Sequence, residues 1–353
     1  MRIGVDGMGG DFAPINIVEG VVSASRKLPD VEFVIFGAEN LIRKELSKYE
    51  FTGNILIRNA SEVVGMGESV ISLLRRKKET SLHLGLEALV KGEIDSFLSA
   101  GNTAAVVALS RKIVGTEEGV DRGAILVVLP SRSSEFVLID AGANVYTKPR
   151  DYRINSLIGV IFAREILGRR NPRVALLNIG EEASKGHRVL KEVYKSFEES
   201  PFDFYGNIES REMFNDRADV VLTDGFVGNI VLKLAEGLGE LFVKFLKEEL
   251  SKSFVYKIGY ILSRGAYKAL KDRLDYSKYG GGLLVGFKGN IIVAHGRSSG
   301  RAIENAILFS HRLPVVGFRK KCRKAMEEFE DWIETGERRS NGSSSKRLGS
   351  LAS

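Results

Sequence analysis

The stretch Ile3-Gly4-Val5-Asp6-Gly7-Met8-Gly9-Gly10-Asp11 decides the fold class, because a strand-like apolar run leads directly into a glycine-rich loop. Pro14, at a first-turn position, then predicts the start of a helix. Further short apolar runs, mostly without alternation, occur at 31–36, 54–58, 95–98, 124–129, 135–140, 174–178, 220–223 and 291–294. Helix-length segments separate most of them. We therefore expect a mostly parallel sheet with helices on both faces, a three-layer α/β/α fold.

One link is too short for a helix. Only Pro130-Ser131-Arg132-Ser133-Ser134 separates two of the apolar runs, and this turn-rich composition predicts a hairpin. The sequence has no fixed-period repeat and no convincing linker before residue 337. We therefore expect one domain over 1–337, with a protruding helical hairpin at 230–279, followed by a disordered basic serine-rich tail at 338–353.

Composition excludes several classes of protein. With 44% hydrophobic and 27% charged residues, the 353-residue chain is typical of a globular protein. Its longest apolar runs have the length of strands, so neither a membrane span nor a secretion signal is expected. Cys322 is the single cysteine, and the four histidines lack metal-ligand spacing. We expect a cytoplasmic protein without a metal or disulfide, and a plain surface or half-buried role for Cys322.

The net charge of +7 first suggests a nucleic-acid or membrane partner, but four of these charges lie in the 338–353 tail, which weakens the nucleic-acid interpretation. The rest of the chain is then ordinary, and we expect no nucleic-acid binding. The tail is read as a solvated end, with contact to anionic lipid or RNA as the alternative.

Six predicted strands end in loops that combine Gly with Asn, Ser, Thr, Asp or His. Because ligands of parallel sheets bind beyond the carboxyl ends of the strands, the pattern predicts one polar, anion-binding edge. Turns and helix caps are the alternative interpretation of each loop. The candidate contacts for substrate or phosphate are Asp6, Gly9, Gly10, Ser99, Gly101, Thr103, Asn144, Gly180, Asp224, Gly225, Phe226, Gly228, Gly296, Ser298 and Ser299. The candidate catalytic residues are Lys185, Asn102, Asn229 and His295.

Two motifs in these loops suggest other chemistry. Phe12 replaces the third glycine of a dinucleotide-binding fingerprint, so a nicotinamide cofactor is not expected. The segment 296–300 matches a serine-hydrolase elbow, but no later strand supplies its acid and histidine, and His311 lies downstream on the same predicted helix. Ser298 and Ser299 are better read as a helix N-terminus that holds an anion.

Several charged and apolar groups allow two interpretations. Lys185, expected at a helix start, contacts an anion or is solvated, and His295 contacts substrate or is a hydrogen-bonded loop histidine. The run Arg75, Arg76, Lys77 and Lys78 is a solvated face or a docking site for an acidic partner. The apolar stripe from Val231 onward and the aromatic, basic segment to Tyr279 form a dimer interface, a membrane-surface hairpin or plain core.

The loops together resemble the bacterial phosphate acyltransferase family. The motifs are VDGMGGDFAP at 5–14, RRKKETS at 75–81, SAGNTAA at 99–105, DAGAN at 140–144, NPRVALLNIGEE at 171–182, TDGFVGN at 223–229 and AHGRSS at 294–299. The resemblance implies a fold akin to phosphotransacetylase and isopropylmalate dehydrogenase, in a homodimer without a cofactor. It implies conversion of acyl-[acyl carrier protein] and inorganic phosphate to acyl phosphate and free carrier protein. The acyl phosphate would pass to a membrane-bound glycerol-3-phosphate acyltransferase.

This reaction suits the residues present. A thioester is already activated and phosphate is a competent nucleophile, so backbone N–H groups, a lysine and helix N-termini are sufficient for catalysis. Under this interpretation the basic run at 75–78 docks the carrier protein, and membrane contact is peripheral and reversible. The alternatives from other classes are an NAD-dependent dehydrogenase of the related fold and a nucleic-acid-binding module.

Overall fold

The computed structural model describes residues 1–50, 53–65, 67–68, 70–75, 79–274 and 276–335. Its strands are β1 Arg2–Asp6, β2 Glu32–Gly37, β3 Ile55–Asn59, β4 Ser96–Ser99, β5 Ala124–Pro130, β6 Glu135–Ile139, β7 Arg173–Asn178, β8 Asp203–Glu209, β9 Val220–Leu222, β10 Gly282–Val285 and β11 Asn290–Val293. Its helices are α1 Ile15–Lys27, α2 Glu39–Leu46, α3 Val70–Arg75, α4 Ser81–Val90, α5 Thr103–Ile113, α6 Pro149–Glu165, α7 Arg188–Phe197, α8 Gly225–Ser251, α9 Phe254–Leu262, α10 Arg264–Leu274, α11 Gly300–Val315, α12 Phe318–Glu328 and α13 Glu330–Glu334. Arg76, Lys77, Lys78 and the 338–353 tail lie outside the described residues.

The strands form one 11-stranded sheet in the order β3-β2-β1-β4-β11-β10-β5-β6-β9-β7-β8. The first five strands of this order are mutually parallel, and so are the last four. Between these blocks, β10 is antiparallel to both β11 and β5, and β5 is antiparallel to β6. The hairpin predicted at 130–134 is therefore confirmed.

These antiparallel pairs reverse the direction of half of the sheet. Strands β1, β4 and β11 end at one edge, which we call the first edge. Strands β6, β7 and β9 end at the opposite edge, which we call the second edge. The expectation that all six glycine loops share one edge is wrong, because an odd number of antiparallel steps separates the two parallel blocks.

The two faces of the sheet each carry a separate hydrophobic core. Along β5, Leu126 and Val128 pack with α1, α6, α11 and α12 on one face. The alternate residues Val127 and Leu129 pack with α4, α5 and α8 on the other. Because successive residues of a strand point to opposite faces, an uninterrupted apolar run is what a doubly covered strand requires. The mostly parallel, three-layer α/β/α architecture is confirmed.

Two strands were not predicted from the sequence. Strand β8 at the end of the sheet contains Asp203, Asn207 and a glycine, Gly206, with a positive φ of 110°. Strand β10 has only four residues and follows two glycines. Both lack the long apolar signal of the central strands, because one is an edge strand and the other is short.

The helices from α8 to α10 leave much apolar surface uncovered. Along them, Leu238, Phe242, Phe254 and Ile261 are all exposed. Within the described residues, none of the helices combines the length and the apolarity that a membrane span needs.

Candidate functional site

At the first edge, a buried carboxylate organises the loop that follows β1. Asp6 is buried, and its carboxylate accepts hydrogen bonds from Ser99 Oγ at 2.7 Å and from the N–H of Met8 at 3.1 Å. Burial raises the pKa of Asp6, and these hydrogen bonds oppose the increase. Ser99 also accepts from the N–H of Gly101 at 3.1 Å. Asp6 thus joins the loop after β1 to the loop after β4.

The loop after β11 closes against the same glycines. The N–H of Asp11 donates to the carbonyl of Gly296 at 2.8 Å. A Cβ on Gly9 would stand 2.7 Å from the nitrogen of Gly101, and Gly10 has a positive φ of 105°. Only glycine allows the three loops to approach this closely. Three of the six predicted loops are therefore in mutual contact, with α5 and α11 starting from them.

At the second edge, Asp140 has the corresponding role. This buried carboxylate accepts from the N–H groups of Ile125, Gly142, Ala143 and Asn144 at 2.9–3.0 Å, and from the Asn144 side chain at 2.9 Å. Burial raises the pKa of Asp140, and the hydrogen bonds oppose the increase. Asp140 was absent from the sequence-based candidates, although the DAGAN motif contains it.

Helix α8 begins beside this loop. The N–H of Gly225 donates to the carbonyl of Asn144 at 2.8 Å, and Gly142 faces Asn229 closely. A Cβ on Gly228 would stand 1.9 Å from the carbonyl oxygen of Asp140, so only glycine fits. Phe226 and Asn229 are exposed at this end of the helix.

Lys185 lies in the neighbouring loop after β7. Its Nζ is 3.8 Å from Glu182, and nearly half of its side chain is exposed. The expectation that Lys185 begins a helix is wrong, because α7 starts at Arg188. Gly186 has a positive φ of 83°, which interrupts helical geometry between the two residues. Gly180 packs against the stem of Lys185.

Several candidate contacts are already hydrogen-bonded inside the protein. Asn102, Asp224 and Ser299 are N-caps that accept from the third N–H of their helices. Both N–H groups of the Asn144 amide are occupied, by Gly123 and Asp140. These four side chains therefore serve as helix caps and loop hydrogen bonds, which was the alternative interpretation of the loops. Among the other candidates, Thr103, Phe226, Asn229 and Lys185 present exposed surface.

One helix connects the two edges. Helix α8 starts at the second edge, and its Glu236 lies 3.0 Å from His295 Nε2 at the first edge. Asn229, Lys233 and Glu236 are spaced by four and three residues, so they share one flank of α8. At 1.5 Å per residue, Asn229 and Glu236 are roughly 10 Å apart along the axis. Lys233 and Glu236 were missed, because an apolar helical stripe surrounds them in the sequence.

The structure also places the serine-hydrolase motif and the single cysteine. Ser299 caps α11, and His311 lies within the same helix, so the serine-hydrolase elbow has no triad partner there. The prediction of a surface or half-buried Cys322 is wrong, because Cys322 is buried in α12, and this burial raises its thiol pKa. Within the described ranges, no cluster of three or more His, Cys, Asp or Glu side chains forms a metal site.

Two solved phosphotransacetylases share the fold of this chain. The EutD phosphotransacetylase from Staphylococcus aureus superposes with a TM-score of 0.55 at 15% identity, covering 88% of this chain and 93% of that chain. A phosphotransacetylase from Streptococcus pyogenes has a TM-score of 0.55 at 17% identity, covering 93% and 94%. The chain thus has a phosphotransacetylase-like fold.

Sequence comparison identifies the family. The model of the fatty acid synthesis protein family matches residues 1–320. The phosphate acyltransferase of Geobacter sulfurreducens is 39% identical over 95% of this chain and 97% of its own length. That of Clostridium kluyveri is 41% identical over 87% and 92%. The chain therefore belongs to the phosphate acyltransferase family, and it is an enzyme of the acyltransferase class.

Proposed function

We propose that the enzyme transfers an acyl group from acyl-[acyl carrier protein] to inorganic phosphate, which yields acyl phosphate and free carrier protein. The proposal assigns the reaction to one domain over 1–337. Its site is the flank of α8 from Asn229 to Glu236, between the loops of the two edges. The contact of Glu236 with His295 carries this proposal, because it brings the first-edge loops to a helix that starts at the second edge.

Each part of the site has a chemical task in this proposal. Phosphate is an anion, and the exposed Lys185, Asn229 and Lys233 supply a positive and hydrogen-bonding environment. The thioester needs its oxyanion stabilised and its thiolate released, for which His295 beside Glu236 is a proton donor. The reacting groups fit a flank of roughly 10 Å. The thioester is already activated, so the site needs to supply only orientation and electrostatic stabilisation.

A direct assay tests the reaction. Loss of thioester from acyl-[acyl carrier protein] is followed with and without radiolabelled inorganic phosphate, and acyl phosphate is detected as label carried by the acyl product. Phosphate-dependent thioester loss with a matching amount of labelled acyl phosphate is expected. Thioester loss that is independent of phosphate would show a hydrolase instead and contradict the proposal.

Charge and uncovered apolar surface extend the proposal to partners. The basic run at 75–78 docks the acidic carrier protein through charge complementarity. The uncovered apolar face of α9, which includes Phe254 and Ile261, supports a homodimer and a reversible contact of 230–279 with the membrane surface. Acyl phosphate is labile, so delivery to a membrane-bound glycerol-3-phosphate acyltransferase is best made at the bilayer. We accordingly propose that the enzyme acts in the cytoplasm, at the inner face of the membrane.

A further inference from the structure

A cavity of about 860 Å³ lies between α8 and the β5–β6 turn at the first edge. Its volume is within the ~300–1,000 Å³ range of small-molecule sites. Its walls are mostly apolar and include Leu238, Phe242 and Phe245 of α8, with Leu129 and Phe214 opposite. Ala235 and Gly239, one turn apart on α8, leave space where larger side chains would fill the cavity.

The cavity adjoins the proposed reaction site. Glu236 lines the cavity and is also the residue that contacts His295 at 3.0 Å. The flank of α8 is thus polar from Asn229 to Glu236, and the helix presents apolar residues to the cavity from Leu238 onward. A ligand with a polar head and an apolar chain matches this order of polar and apolar surface along α8.

We infer that this cavity holds the acyl chain of the donor thioester and that Gly239 sets the chain length accepted. The inference rests on the proposed acyl transfer. A chain whose thioester carbonyl lies beside His295 enters the cavity next to Glu236 and runs along α8. Each buried methylene strengthens binding by about fourfold, so the depth of the cavity determines which chains are used best.

Gly239 is well suited to a test of this inference. A Cβ at this position meets no other atom within 4 Å, so a larger side chain occupies the cavity without a clash. Leucine also has the higher helix propensity, which supports folding. The matched control is Lys244→Leu. This substitution introduces the same side chain at an exposed position of α8 outside the cavity lining. A second cavity variant is Ala235→Leu.

The experiment compares kcat/KM for carrier-bound acyl chains from butyryl to palmitoyl, with phosphate as the acceptor. For Gly239→Leu, the kcat/KM for palmitoyl relative to the shortest chain used by the parent enzyme should fall by at least about tenfold. Ala235→Leu should shift the ratio in the same direction, and Lys244→Leu should leave it unchanged. Thermal melting verifies that each variant is folded.

The outcomes separate this inference from the proposed function. A parent enzyme without phosphate-dependent transfer of any chain would overturn the reaction itself. An active parent whose folded cavity variants keep the parent ratio would overturn only the acyl-chain site. If light scattering shows that Gly239→Leu changes the molar mass of the assembly while the ratio stays constant, the cavity is an interface between copies of the chain, and the inference is wrong.

Discussion

At the scale of single residues, Asp6 is the buried carboxylate that organises the first edge. Its carboxylate holds two loops of the first edge together through Ser99 and the Met8 N–H. Burial raises its pKa, so the native protein binds this proton more tightly than the unfolded chain does. The resulting stabilisation is complete below the ordinary aspartate pKa near 4 and is lost as pH rises through the raised value.

We therefore expect a pH-dependent difference between the parent protein and Asp6→Asn. As pH rises from about 4, the free energy of unfolding of the parent should fall relative to that of the variant, by about 1.4 kcal/mol for each unit of pKa elevation. Urea denaturation at a series of pH values measures both proteins. A difference that is constant, or that grows in favour of the parent at higher pH, would contradict the expected direction.

A substitution of Lys185 tests whether the second edge takes part in the reaction. In the proposed site it contacts phosphate or the developing oxyanion. Lys185→Ala should therefore lower kcat by about 10²-fold or more, as loss of one oxyanion donor does. Lys191→Ala, an exposed lysine on the following helix, is the control and should keep the parent rate. Unchanged turnover in folded Lys185→Ala would remove this residue from the mechanism.

At the scale of elements, the β5–β6 hairpin and its antiparallel neighbours have the largest consequence for the site. They reverse the strands that carry the Asp140, Asn178 and Asp224 loops. Helix α8 compensates for this reversal, since it starts at the second edge and reaches His295 at the first. A long helix thereby joins two loop clusters that the sheet alone would keep apart.

The basic run at 75–78 has a testable role in docking. Lys77→Glu with Lys78→Glu should weaken the use of carrier-bound substrate, chiefly through KM and most strongly at low salt, since steering by charge is screened by ions. The same reversal at Lys191 and Lys195 of α7 is the control. Steady-state rates across a salt series measure both variants. Equal KM for parent and variant at every ionic strength would rule out docking by this run.

At the scale of the whole molecule, the α8–α10 region presents apolar and basic groups together. Phe254 is 77% exposed in α9, and Lys257, Arg264 and Lys268 lie on or beside the same helix. Each cation near anionic headgroups contributes about 1 kcal/mol. This is enough for attachment that salt reverses.

Sedimentation with anionic vesicles tests this attachment. We expect the protein to co-sediment at low salt, less at high salt, and less again when Phe254 and Ile258 are changed to serine. Serine at Leu41 and Val90, which are exposed apolar residues on α2 and α4, is the control. If the parent remains in the supernatant with anionic vesicles at low salt, the membrane proposal is wrong.

Local sequence determined much of this protein. The apolar runs identified most of the central strands because burial on both faces requires them. The glycine loops marked positions such as Gly9, Gly10 and Gly228, where the structure shows close approach of other loops, while their predicted contact with phosphate stays a prediction. The motifs also identified the family. These are properties of neighbouring residues, so they are visible along the chain.

Only the tertiary structure decided how these parts meet. Strand order and direction assign Asp6 and Asp140 to opposite edges, and this depends on pairing between strands distant in sequence. The side chains of Asn102, Asp224 and Ser299 are occupied as helix N-caps. A list of polar residues does not reveal this. Glu236 gains its partner His295 across 59 residues of chain. Such contacts follow from packing of whole elements, so the spacing of residues along the chain carries no signal of them.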